Sequence, residues 1–329
     1  MLRLLNPLDG LTGFYRPDDF TIAGLLTKRR NGALGGVLGD IDRAGGVGIL
    51  VVKDFSTVLA QGPTHRAGMF SMLRRLYDGE VERALGSDGG TQLHFKGKVG
   101  LLGATTDAID QVSDEIGDLG PRMLLYRMPD IDEDAAMLAA ARNTGNQTTM
   151  RADLADAVGS FLTGLDVSVW PLRPQPDIPE LRALAQWAVW CRSPVLRDDW
   201  GEIEHVPRRE AGMRVYANLL QLTAGAITIG LDDITAERLV RQVALDSIPA
   251  MRRSVLETIR TRSMPTTRTL ADALGLPDSV VGRVCQDPAA LGILVRNARA
   301  VGNEPHWPMS ETARELIQSA ELQAIEVSP

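Results

Sequence analysis

The chain has 329 residues, 44% hydrophobic and 23% charged, with a formal net charge of −7. This is the profile expected of a soluble globular protein of two or three domains. It excludes a membrane span, because no apolar run approaches about 20 residues, and it argues against a protein coated in nucleic acid.

In chain order, residues 1–47 are Gly-rich and irregular, and the start shows no signal-peptide pattern, which makes the cytoplasm the expected compartment. Asp18 and Asp19 are placed to cap a short helix through Leu26. Asn31–Gly36 and the glycines of 45–48 read as turns. Gly48–Asp54 is an apolar, β-branched run ending at an acid, which predicts a buried parallel strand. Helical spacing follows over Arg66–Asp78. Residues 80–97 alternate around Gly-Ser-Asp-Gly-Gly and predict a hairpin. Val99–Thr106 reads as a second buried strand, and Pro121–Pro129 as a third. Residues 132–163 are Ala-rich and helical. Four prolines at 171, 174, 176 and 179 mark a linker.

Residues 180–260 read as helices. Trp187 and Trp190, three apart, are expected in the core rather than in an oligomer interface, because large aromatics dominate buried area. Thr269–Gly275 and Leu276–Cys285 predict two short helices joined by a turn, the pattern of DNA-reading modules. Residues 291–309 follow as a wing. Between 250 and 300 lie eight arginines, at 252, 253, 260, 262, 268, 283, 296 and 299, against four acids. Such a stretch is suited to phosphate or to an ordinary solvated surface. Within it Arg268, Ser279 and Arg283 are the candidate DNA contacts. Two cysteines, Cys191 and Cys285, and four scattered histidines predict neither a disulfide framework nor a zinc site.

Nucleotide hydrolysis needs a phosphate-cradling loop, a lysine, and an acid for Mg²⁺. The acid belongs at the C-terminal end of a buried strand, where Asp54 stands. Thr105 and Thr106, at the end of the next strand, are suited to touching a γ-phosphate or orienting water.

The order of these features resembles the AAA+ ATPases, and in layout the minichromosome maintenance helicases and related phage or plasmid ATPases. In that resemblance Ile49–Asp54 matches the Walker B strand and Gly103–Thr106 matches sensor 1. Leu119-Gly-Pro-Arg122 matches the segment carrying the arginine finger, which reaches a neighbouring subunit's nucleotide. Glu210–Arg214, opening a lid helix, matches sensor 2, and Val243–Pro249 a later lid helix. The resemblance implies an α/β fold with an incomplete AAA+ core over 1–131, a helical lid over 132–260 and a winged helix over 261–329. It implies ATP and Mg²⁺ as cofactors of the intact family. Asp54 would hold the metal, Arg214 would contact nucleotide, and Thr105, Thr106, Arg122 and Arg214 would assist the reaction.

Two departures stand out. Phe55 occupies the position at which many relatives carry the catalytic glutamate. No G-x-x-x-x-G-K-[ST] loop occurs, and the only Gly-Lys pair, Gly97-Lys98, leads into a strand rather than a helix N-terminus. In the family layout the loop lies upstream of Asp54, about where Met1 falls, so a truncated frame, a split gene or a non-binding descendant is expected. Two functions follow. The first is an AAA+-like ATPase of DNA replication or mobile-element maintenance that does not bind ATP alone, hydrolysing it only with a loop from an upstream polypeptide or a partner. The second is a non-catalytic DNA- or partner-binding regulator acting through residues 262–320. A homo-oligomer is compatible with either.

Overall fold

The computed structural model describes residues 13–17, 20–85, 91–112, 122–165, 177–262, 264–297 and 304–320. The chain divides into two compact units, one of residues 1–112 and 128–165, the other of 113–127 and 166–329. No helix among the described residues is long and apolar enough to cross a membrane.

In the first unit, strand β1 (Phe14–Tyr15) precedes helix α1 (Ile22–Leu25). The cap of α1 is Thr21, whose hydroxyl accepts from the Gly24 amide. Asp18 and Asp19, expected in that role, lie outside the described residues. Strands β2 (Thr27–Lys28) and β3 (Leu34–Gly35) pair antiparallel around Gly32, whose φ of +84° a side chain would resist. Helix α2 (Gly36–Arg43) then leads through the Gly45–Gly46 turn into β4 (Val47–Val52). Helices α3 (Ser56–Leu59) and α4 (Pro63–Asp78) follow, the latter opened by Pro63 and closed by left-handed Gly79.

The expected hairpin is present as β5 (Glu80–Leu85) and β6 (Thr91–Lys96). Gly97 turns it into β7 (Lys98–Gly103), and a Cβ there would meet the Gly46 carbonyl oxygen at 2.1 Å. Gly97-Lys98 thus serves a close backbone crossing. Strands β1, β4 and β7 form a parallel sheet in that order. Leu50 and Val52 join Leu38, Ile41, Phe70, Leu73, Val81 and Phe95 in the core.

Two sequence expectations need correction. Strand β7 forms, but it is not buried: its residues alternate between exposed and half-buried, with Leu102 exposed. Among the described residues its ladder neighbour is β4 alone, and a buried parallel strand needs cover on both faces. The third strand does not form over the described residues 122–129. Its backbone groups find side chains instead. The Leu125 amide donates to Ser247 Oγ at 3.1 Å, the Arg127 amide to Asp246 Oδ2 at 2.7 Å, and Gln242 Nε2 donates to the Arg127 carbonyl at 3.3 Å. Those bonds satisfy the backbone without a ladder.

Short helix α5 (Ala108–Gln111) and the helices α6 (Glu133–Arg142) and α7 (Gln147–Thr163) complete this unit. Helix α6 starts at Asp132, whose carboxylate accepts from the Ala135 amide at 3.0 Å.

The second unit is helical. At its centre is α8 (Pro179–Arg192), which buries Leu184, Trp187, Ala188, Trp190 and Cys191. Both tryptophans are core residues, as expected of large aromatics. A small ladder, β8 (Leu196–Arg197) with β9 (Ile203–His205), leads to α9 (Met213–Thr228), α10 (Asp233–Asp246) and α11 (Ala250–Arg260). The proline tract that precedes α8 lies outside the described residues as far as 176.

Helices α12 (Thr267–Leu274) and α13 (Asp278–Ala290) follow as predicted, parted by Gly275 at φ +65°. Thr266 and Thr269 cap α12 reciprocally. Antiparallel bridges join Thr266 to His306, Asn297 to His306 and Leu294 to Met309, ahead of α14 (Glu311–Ser319). One continuous core runs from Leu181 through Val240, Ile259, Leu270, Val281 and Trp307 to Ile317. Trp307 closes it, its Nε1 donating to Thr267 Oγ1 at 2.9 Å.

Candidate functional site

Parallel pairing continues past the ends of β4 and β7. The Ala104 amide donates to the Val52 carbonyl at 3.0 Å, and the Phe55 amide to the Ala104 carbonyl at 2.7 Å. That continuation brings Asp54 beside Thr105 and Thr106. Ser56, which carried no sequence signal, ties them together. Its amide donates to Asp54 Oδ1 at 3.0 Å, and its hydroxyl accepts from the Thr106 amide at 3.1 Å. The same hydroxyl lies 3.4 Å from Thr105 Oγ1 and 3.3 Å from Thr106 Oγ1. Three hydroxyls and one carboxylate therefore share an exposed corner at the C-terminal edge of the sheet.

This corner does not by itself fit ATP and Mg²⁺. Mg²⁺ sites of phosphoryl chemistry take carboxylates together with substrate phosphates. Here the corner supplies one carboxylate, and no phosphate-cradling loop occurs in the sequence. The two arginines expected to assist lie in the other unit. Arg122 is half-buried in the segment leading to Arg127, and Arg214 is exposed in the first turn of α9.

The second candidate surface is formed by α12 and α13. Helix α13 buries Val281, Cys285 and Pro288. Its opposite face exposes Ser279, Val280 and Arg283, and Arg268 is exposed on α12. Ser279 and Arg283 are four apart and so share one helical stripe. The Arg268 amide donates to Glu304 Oε1 at 2.8 Å, so a carboxylate already satisfies part of the α12 N-terminus.

Arg197 braces α13 from β8. It donates to Gln286 Oε1 at 3.3 Å, to the Arg283 carbonyl at 3.3 Å and to Asp287 Oδ1 at 2.5 Å. A Cβ at Gly201 would stand 3.4 Å from the Arg283 guanidinium, which places that side chain beside the turn between β8 and β9.

The Arg-rich stretch divides into two roles. Arg252 is buried and donates to the carbonyls of Cys191 and Ser193 at 2.8 Å each and to Asp287 Oδ2 at 3.1 Å. Arg253 pairs with Asp246 and Glu257. These two hold helices together. Arg260, Arg262, Arg268, Arg283 and Arg296 are exposed, the last over the Trp307 ring at 5.7 Å, and Arg299 lies outside the described residues.

Both cysteine thiols are buried, and burial pushes them up, Cys285 to about 12. Neither is a nucleophile at neutral pH. The chain matches no known family model and no curated protein sequence.

Proposed function

We propose that the chain is a DNA-binding regulator whose second unit carries a winged helix, and whose first unit is an AAA+-like core that does not bind ATP on its own. The observation that carries this reading is the exposed stripe of Ser279 and Arg283 on α13, whose opposite face is locked into the core by Val281 and Cys285. The order of elements supports it: α11, the Thr266 bridge, α12, α13, then the bridges at Leu294, Asn297, His306 and Met309. A helix held in this way enters the major groove by its N-terminal half. Arg283 and Arg268 then supply charge to phosphates, and Ser279 a short hydrogen bond. Arg296, beside the bridges, lies where a wing meets the backbone of the duplex.

The corner of Asp54, Ser56, Thr105 and Thr106 supports descent from a nucleotide-binding core, because acid and hydroxyls gather at the C-terminal ends of parallel strands. On this reading ATP–Mg²⁺ binding is restored only by a polypeptide that brings a phosphate loop. The whole reading is tested by titrating a labelled duplex with the full chain and with Arg283→Ala. Saturable binding that the variant weakens supports it, and equal binding by both removes α13 as the contact.

A further inference from the structure

We propose that Glu80, Glu82 and His94 form a binding site for a divalent transition metal ion of the zinc class, with three protein ligands and open positions for water. The pairing of β5 with β6 sets Glu82 directly opposite His94 and Glu80 opposite Lys96. Alternate residues of a strand share a face, and directly opposed residues stand about 5 Å apart at Cβ. All three ligands therefore project from one face of the hairpin. One ligand atom from each lies within 4.8 Å of the other two. His94 Nε2 and Glu80 Oε1 are already 2.6 Å apart.

The other face fixes this geometry. Val81, Leu93 and Phe95 are buried, so a one-residue slip would turn them to water and carry the ligands inward. The ligand set selects the ion. One imidazole with two carboxylates suits Zn²⁺, and three protein ligands with an open position is a recurrent arrangement for it. Mg²⁺ and Ca²⁺ favour oxygen-only shells and gain little from His94. All three side chains are exposed, so an ion enters without moving the core. Lys96, facing Glu80 on the same surface, opposes a bound cation and weakens its binding. Binding replaces the contact between His94 and Glu80 with two bonds to metal, and any proton on the imidazole leaves to solvent.

The test is calorimetric titration of the full chain with ZnCl₂ in a non-chelating buffer. One saturable site is expected near neutral pH. His94→Gln and Glu82→Gln should each weaken it about tenfold or more, whereas His65→Gln should leave it unchanged. Thermal melts without metal should match for all four proteins, because every altered side chain is exposed. Absence of a saturable site up to millimolar Zn²⁺, or binding that survives His94→Gln and is lost with His65→Gln, overturns the assignment.

Discussion

The Thr106 amide donates to Ser56 Oγ at 3.1 Å, across 50 residues of sequence. This hydroxyl joins the segment after β4 to Thr105 and Thr106 after β7, while the Ser56 amide holds Asp54 in the same corner. Ser56→Ala removes the acceptor for the Thr106 amide while sparing the Asp54 bond, which uses the Ser56 backbone. The expected cost is about 1 kcal/mol, because the site is open and water replaces part of the loss. Urea unfolding followed by far-UV circular dichroism measures it. A larger effect on amide exchange at Thr106 than at Val52 would place the loosening at the corner.

Arg252 is the buried cation of the second unit. Arg252→Met keeps much of its volume but strands the Cys191 and Ser193 carbonyls and leaves Asp287 with Arg197 as its remaining ion-pair partner. The expected loss is about 3 kcal/mol. All five tryptophans fall within residues 166–329, so selectively excited tryptophan emission reports this unit. A midpoint unchanged in urea would show that Arg252 is not the brace described.

The cysteines give the pH prediction. Burial raises the Cys285 thiol from 9.0 to about 12, and Cys191 well above its ordinary value. A raised folded value means that the folded chain holds its proton more tightly. The stability so contributed is complete below about pH 9 and is lost as pH climbs toward about 12. At about pH 8 an aromatic disulfide reagent should leave both thiols unmodified in the native protein and modify both after unfolding. Rapid native labelling of either would contradict their burial.

Local features were legible in the sequence and tertiary ones were not. The helices α8–α13 followed from apolar spacing and from punctuation such as Gly275, and β4 from its β-branched run. Pro121–Pro129 reads as a strand because its text is apolar, while the partners of Leu125 and Arg127, Ser247 and Asp246, lie over a hundred residues away. The exposure of β7 depends on how many strands flank it, which its own residues do not state. Arg252 and Arg253 look like part of a basic surface until Asp287, Asp246 and Glu257 are placed around them. Ser56 is an ordinary serine by sequence. The meeting of Glu82 with His94 was within reach, since strand alternation and a hairpin register suffice to derive it.

If α13 presents Ser279 and Arg283 to DNA as proposed, duplex binding must depend on salt. Affinity for a labelled duplex should fall linearly on a log–log scale with salt. Arg283→Ala should reduce that slope by about one, because one phosphate contact releases about one counterion. Affinity that is independent of salt, or a slope unaltered by Arg283→Ala, would contradict a phosphate-facing α13.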